Sequence, residues 1–321
     1  MHDQRHHELL AHVASLYYEQ DMTQNAIADL LGLSRVKVYR LLREARDAKV
    51  VQIKIDWPIK RNTELEARLQ DEFSLQTALV LKTTTWQPSS VLHQLGSLAA
   101  RYLEIILQHN TTMAICLGRS TYEVINAISP DFQANVQVAQ AIGNLPNSFH
   151  EYDSSTLARQ LAQKLGGQVM YLPSPLMADT PEAASVIRSQ RDVRRTLSVA
   201  SAADVALVGI GNLDPETSGF VRAGFIEPDE LRELKDDGAV GDLAWQLYTA
   251  DGALYPCEFN NRVIGIRLEE LAHIPTTIAV AAGVEKAAAI RGALHTGVIN
   301  VLATDERTAA AILRAALPLV S

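Results

Sequence analysis

The chain has 321 residues, 47% of them apolar, and a formal net charge of −8, enough for one small domain and one large domain with a substantial core. Its two cysteines, Cys116 and Cys257, are too few and too far apart for a disulfide framework or a zinc site. The acidity argues against general nucleic-acid binding, but it is uneven: residues 32–50 hold six Lys or Arg against two Asp or Glu, a local balance of +4.

In chain order, MHDQRHHELL lacks the apolar core of a signal peptide, and no apolar run reaches bilayer length. A reduced, cytoplasmic protein without membrane contact is expected. His2, His6 and His7 read as a solvated terminus, so no metal is expected there. Residues 8–19 form a first helix, with Leu9, Leu10, Val13, Leu16 and Tyr17 on one stripe. Thr23 caps a second helix that starts at Gln24 and carries Ile27, Leu30 and Leu31 on one face. Gly32 turns the chain and Ser34 caps a third helix. There Val38, Leu41, Leu42 and Ala45 recur at helical spacing and point inward, while Arg35, Lys37, Tyr39, Arg40 and Arg43 remain outside. This pattern is that of a helix-turn-helix, whose capped cationic helix suits the major groove of double-stranded DNA. The bland alternative is a solvated basic face on a helical hairpin. Cations near a helix N-terminus disfavour the helix itself, which points to a partner outside it. The DNA-facing set is Thr23, Gln24, Ser34, Arg35, Lys37, Val38, Tyr39, Arg40 and Arg43. Val51, Ile53 and Ile55 then alternate with polar residues as a wing strand. Pro58 ends it, so the reader domain spans residues 1–58.

Residues 59–321 read as one large domain. A helix over 62–73 precedes a strand over 77–81, and a long helix over 89–107 precedes a strand over 111–117. Further strands are expected over 136–142, 168–172, 204–210, 276–282 and 298–303. Helices are expected to 128 and over 157–165, 182–200, 285–294 and 306–317. Apolar strands alternating with helices predict a doubly wound, mostly parallel α/β sheet.

Ligands of such sheets bind beyond the carboxyl ends of strands. Gly118, Arg119, Ser120 and Thr121 follow one strand directly. The hydroxyls and the N–H groups of the helix start suit a phosphate, and an ordinary capped turn has the same spacing. Lys286 lies in the first turn after another strand, a poor place for a cation unless an anion meets it; a surface lysine is the alternative. GIGNLD at 209–214 begins like a dinucleotide fingerprint, but it lacks the third glycine and a good helix start. No cofactor is expected.

Longer motifs add a resemblance. The reader carries TQNAIADLLGLSRVKVYRLLREARDAKVVQI. The large domain carries LPSPLMADTPE, ADVALVGIGNLDP, RAGFIEPDEL, GAVGDL, NNRVIGI and GVEKAAAIRGAL, in that order. With these motifs the chain resembles the SorC family of sugar-responsive transcriptional regulators over nearly its whole length. The resemblance implies a large domain similar in fold to sugar-phosphate isomerases and deaminases, one that senses a phosphorylated sugar or polyol and turns nothing over. It also implies a homo-oligomer, a tetramer, on operator DNA. It places the phosphate loop at residues 118–121 and the phosphate-facing lysine at Lys286. The acid that holds sugar hydroxyls falls on Asp242 and a ligand-side arginine on Arg222, with Asn260 and Arg262 in a shared motif. GRST, Gly143-Asn144 and Tyr39 depart from the family's usual residues. The rival function is a sugar-phosphate isomerase or deaminase with Asp242 and Lys286 as its acid–base groups, but no His–acid constellation supports it.

Overall fold

The computed structural model describes residues 2–48, 50–51, 58–84, 87–145 and 152–314. The chain divides into two units, Met1–Pro58 and Ile59–Ser321. In the first, three helices form: α1 (His2–Tyr18), α2 (Gln24–Leu31) and α3 (Arg35–Asp47). Both expected caps are made. The Thr23 hydroxyl accepts from the Ala26 N–H and the Ser34 hydroxyl from the Lys37 N–H, each at 3.2 Å. Gly32, at φ 64, closes α2 with its N–H on the Ala28 carbonyl. Leu10, Val13 and Leu16 of α1 pack with Ile27 of α2 and with Val38, Leu41, Leu42 and Ala45 of α3. Of the expected wing strand, residues 52–57 lie outside the described residues.

The second unit holds ten strands among its described residues: β1 (Lys60–Arg61), β2 (Thr77–Lys82), β3 (Thr112–Ile115), β4 (Gln137–Gln140), β5 (Gln168–Met170), β6 (Val205–Asn212), β7 (Ala239–Leu243), β8 (Gln246–Thr249), β9 (Thr276–Val280) and β10 (Val301–Asp305). The main sheet runs β1-β2-β10-β9-β6-β3-β4-β5. It is parallel from β2 to β5, and β1 lies antiparallel on the edge. β3, β9 and β10 are buried almost throughout, as strands covered on both faces must be. This is the doubly wound α/β arrangement that the alternating apolar runs predict.

Several boundaries differ. The helical region expected over 182–200 is made of two helices, Pro181–Ser189 and Arg191–Ser201. Gln190 turns to ψ 140 between them, and no Gly or Pro marks the break. The helix expected over 285–294 starts as a tight 3₁₀ turn, Val284–Lys286, and continues as Ala287–His295. The last strand begins later than expected, at Val301, although the backbone of Asn300 just before it already bonds to Thr277 and Gln76. The final helix is described over Glu306–Arg314, and the rest of its expected length lies outside the described residues. The antiparallel β7–β8 hairpin has no counterpart in the sequence-based expectation.

The two caps of the reader are independently testable. Thr23→Ala and Ser34→Ala should each lower the unfolding free energy of the first unit by about 1 kcal/mol, read from the shift of its denaturant midpoint at unchanged slope.

Candidate functional site

The order of strands reverses beside β3: β4 and β5 follow on one side, and β6 returns on the other. Ligands of open α/β sheets bind at such a switch. A cavity of about 180 Å³ lies there. Its walls are residues 116–120 after β3, residues 209–212 at the end of β6, Arg222, the β7–β8 hairpin with Asp242 and Trp245, and Lys286.

Each wall has a local cause. Gly118, at φ 150, swings the chain from β3 into the helix Arg119–Ala127, whose first N–H groups have no carbonyl one turn behind them. β6 is longer than its parallel neighbours allow. Val205 to Gly209 pair with β9, and then Ile210, Gly211 and Asn212 pair antiparallel with Leu243, Asp242 and Gly241 of β7. That register seats Asp242 opposite Gly211, and its carboxylate occupies the space a Cβ at position 211 would need. Glycine is thus required at 211 by the side chain it faces. The 3₁₀ turn after β9 brings the Lys286 Nζ to the Ile210 carbonyl at 2.9 Å.

Burial pushes the Asp242 carboxyl up to about 7, against the pull of Lys286 and of the hydrogen bond from the Trp245 backbone N–H. Burial also lowers Lys286; Asp242 and Glu285 oppose that shift, and the nearby Arg119 adds to it. Arg119 is exposed, and among the described residues no acceptor engages its guanidinium. Two cations therefore press on each other beside a helix N-terminus, with a half-buried acid that holds its proton to near neutrality. Such a recess suits an anion flanked by hydroxyl groups. Burial, helped by Asp242, pushes the Cys116 thiol up to about 12, so it is an inert wall.

Of the sequence-derived set, the structure brings Gly118, Arg119, Ser120, Arg222, Asp242 and Lys286 to one cavity. Thr121 is not on its wall. It is fully buried, and its hydroxyl donates to the Gly118 carbonyl at 2.8 Å, shaping the loop from beneath. Asn260 is also elsewhere. Its amide is spent on backbone: Oδ1 accepts from the Leu247 N–H at 2.7 Å, and Nδ2 donates to the Leu247 and Tyr255 carbonyls. It fastens β8 to the following loop. Arg262 donates to the Ala178 carbonyl at 2.9 Å, also away from the cavity. The sequence missed Gly209, Gly211, Asn212 and Trp245. Two glycines inside an apolar strand were the available signal for the first pair.

In the first unit Arg35, Lys37, Tyr39, Arg40 and Arg43 are exposed on α3, with Thr23 and Ser34 exposed and Gln24 half-buried at the helix starts. Val38 leaves the DNA-facing set: it is completely buried in the three-helix core. Val36 is 60% exposed in the first turn of α3, where an apolar group can meet a thymine methyl. Among the described residues no helix is long and apolar enough to cross a membrane, and no cluster of His, Cys, Asp or Glu is arranged to hold a metal.

Residues 57–314 match the model of a sugar-binding domain family. The chain is 33% identical to the transcriptional regulator LsrR of Klebsiella pneumoniae over 312 residues, 95% of this chain and 93% of that one. Among solved structures, it is similar to the full-length sorbitol operon regulator SorC from Klebsiella pneumoniae, with a TM-score of 0.74, 28% identity, and 95% of this chain and 98% of that one covered. The sugar-binding domain of a transcriptional repressor from Vibrio fischeri aligns with a TM-score of 0.73 at 33% identity, covering 79% of this chain and 99% of that one.

The raised Asp242 carboxyl has a measurable consequence. In the unfolded chain it ionises near 3.8, and in the folded chain near 7. Its contribution to stability is full below about pH 4 and is lost as the pH rises through 7. Relative to wild type, Asp242→Asn should therefore gain about 4 kcal/mol between about pH 4 and pH 8. Urea unfolding across that range measures it, and a constant difference would show an ordinary carboxylate.

Proposed function

The chain belongs to the SorC family of sugar-binding transcriptional regulators, and from that premise we propose that its effector is a phosphorylated sugar bound in the switch-point cavity. The observation that carries this reading is the convergence of Arg119, Lys286 and the N–H groups that open the helix Arg119–Ala127 on a recess that also holds Asp242. The phosphate sits on the helix start between the two cations. Asp242 faces the sugar, accepting from a hydroxyl as carboxylate and donating as the acid. Arg222 closes the ligand side.

Operator DNA is met by α3. Arg35, Lys37, Tyr39 and Arg40 reach base edges, and Arg43 contributes phosphate contact. The protein acts as a homo-oligomer, a tetramer, in the cytoplasm. Control follows from linkage: the effector favours one arrangement of the oligomer, and one arrangement spaces the reader helices to match the operator half-sites. Chemical turnover has no part in this.

Two measurements test the reading. Lys286→Ala should bind operator DNA as wild type does while losing its response to sugar phosphates, in a fluorescence-anisotropy titration of labelled operator with and without effector. A wild-type response at wild-type effector concentrations would remove Lys286 from the site. Replacing Arg43 by Ala should weaken operator binding about equally across sequences and reduce the slope of log affinity against log salt by about one. An unchanged slope would place Arg43 off the backbone.

A further inference from the structure

The hairpin that carries Asp242 turns through Ala244 and Trp245, at φ 49 and φ 64. Leu243 and Gln246 pair across them, so both central residues of a two-residue turn lie in the left-handed region. Asn-Gly or Gly-Gly adopts that backbone readily. An alanine and a tryptophan are strained there, and the bulky residue most of all. The turn itself gains nothing from an indole.

The surroundings of the indole show what it serves. It meets Phe220 edge to face, with ring centroids 4.9 Å apart, and Phe225 at 5.8 Å. Gly219 leaves room beside it, since a Cβ there would stand 3.3 Å from Cη2. Boxed in this way, Trp245 lines the cavity, and its backbone N–H bonds to Asp242. One strained residue therefore sets both an apolar wall and the orientation of the acid. A sugar ring has matching surfaces: oxygens around its rim and a flat C–H face that packs on an aromatic ring. An open-chain alditol with the same carbons and phosphate has no fixed face of that kind.

We propose that Trp245 makes this site selective for ring-form sugar phosphates over the corresponding open-chain alditol phosphates, its indole receiving the C–H face while Asp242, Arg119 and Lys286 take the oxygens. The inference rests on the reading of the cavity as the sugar-phosphate site.

The test is calorimetric titration of the full chain with glucose 6-phosphate, galactose 6-phosphate and ribose 5-phosphate, each beside its alditol phosphate. At least one ring form should bind about fivefold to tenfold more tightly than its alditol. Trp245→Leu, which keeps apolar bulk without a ring, should lose that preference, its ring-to-alditol affinity ratio falling to about one. Trp245→Phe should keep a preference. If Trp245→Leu does not fold, the ring-to-alditol ratios of wild type and Trp245→Phe decide. Equal or tighter alditol binding in wild type, or an undiminished preference in folded Trp245→Leu, overturns the inference and leaves the sugar-phosphate reading standing. If no ring form and no alditol binds at millimolar concentration, the sugar-phosphate reading falls and the inference falls with it.

Discussion

A carboxylate laid against a bare backbone holds the site together. Asp242 stands opposite Gly211, where the absence of a side chain makes its room. This contact forms because β6 runs past its parallel partners and offers its last residues to β7. Even a half-buried acid is costly without a partner. Here the partners are Lys286, anchored on the Ile210 carbonyl, and the Trp245 N–H. The compensation is incomplete, and the carboxyl holds its proton to about 7. Arg119 then adds positive charge that the described residues do not pair. The recess is one in which an anionic, hydroxyl-bearing ligand completes what the protein leaves open.

The rest of the domain serves to deliver these groups. The crossover that takes the chain from β5 back to β6 places the ends of β3 and β6 side by side. Thr121 braces the Gly118 loop from within, and Asn260 holds β8, the second strand of the hairpin, through two bonds to the Leu247 backbone and one to the Tyr255 carbonyl in the following loop. Both residues bear on the site by holding its walls. Family motifs therefore mix residues that line the cavity with residues that support it, and sequence position does not separate the two classes.

Much of the fold was legible. Continuous apolar runs gave the parallel strands, and Thr23, Gly32 and Ser34 gave the reader helices through caps and a turn whose chemistry is local. What stayed hidden depended on distant partners. The β7–β8 hairpin carries Ala-Trp where a two-residue turn signals itself by Asn-Gly. The break at Gln190 has no Gly or Pro to announce it. Gly211 resembled the start of a nucleotide fingerprint because the side chain that needs it lies thirty-one positions away in sequence. Val38 fits both its inward spacing and its burial, so its place in a DNA-facing set was inconsistent with the helix's own periodicity.

The proposed device joins a cationic helix, offered to operator DNA, and a polar recess, offered to a sugar phosphate, on a single chain. In it, the effector's phosphate sits on the helix start after β3. A crystal structure of the full chain with a bound sugar phosphate tests this most directly. The phosphate oxygens should accept from the N–H groups at Arg119 and Ser120 and from the Lys286 Nζ, with the sugar oxygens toward Asp242. A phosphate bound outside this cavity, with residues 118–120 and Lys286 untouched, would contradict the account.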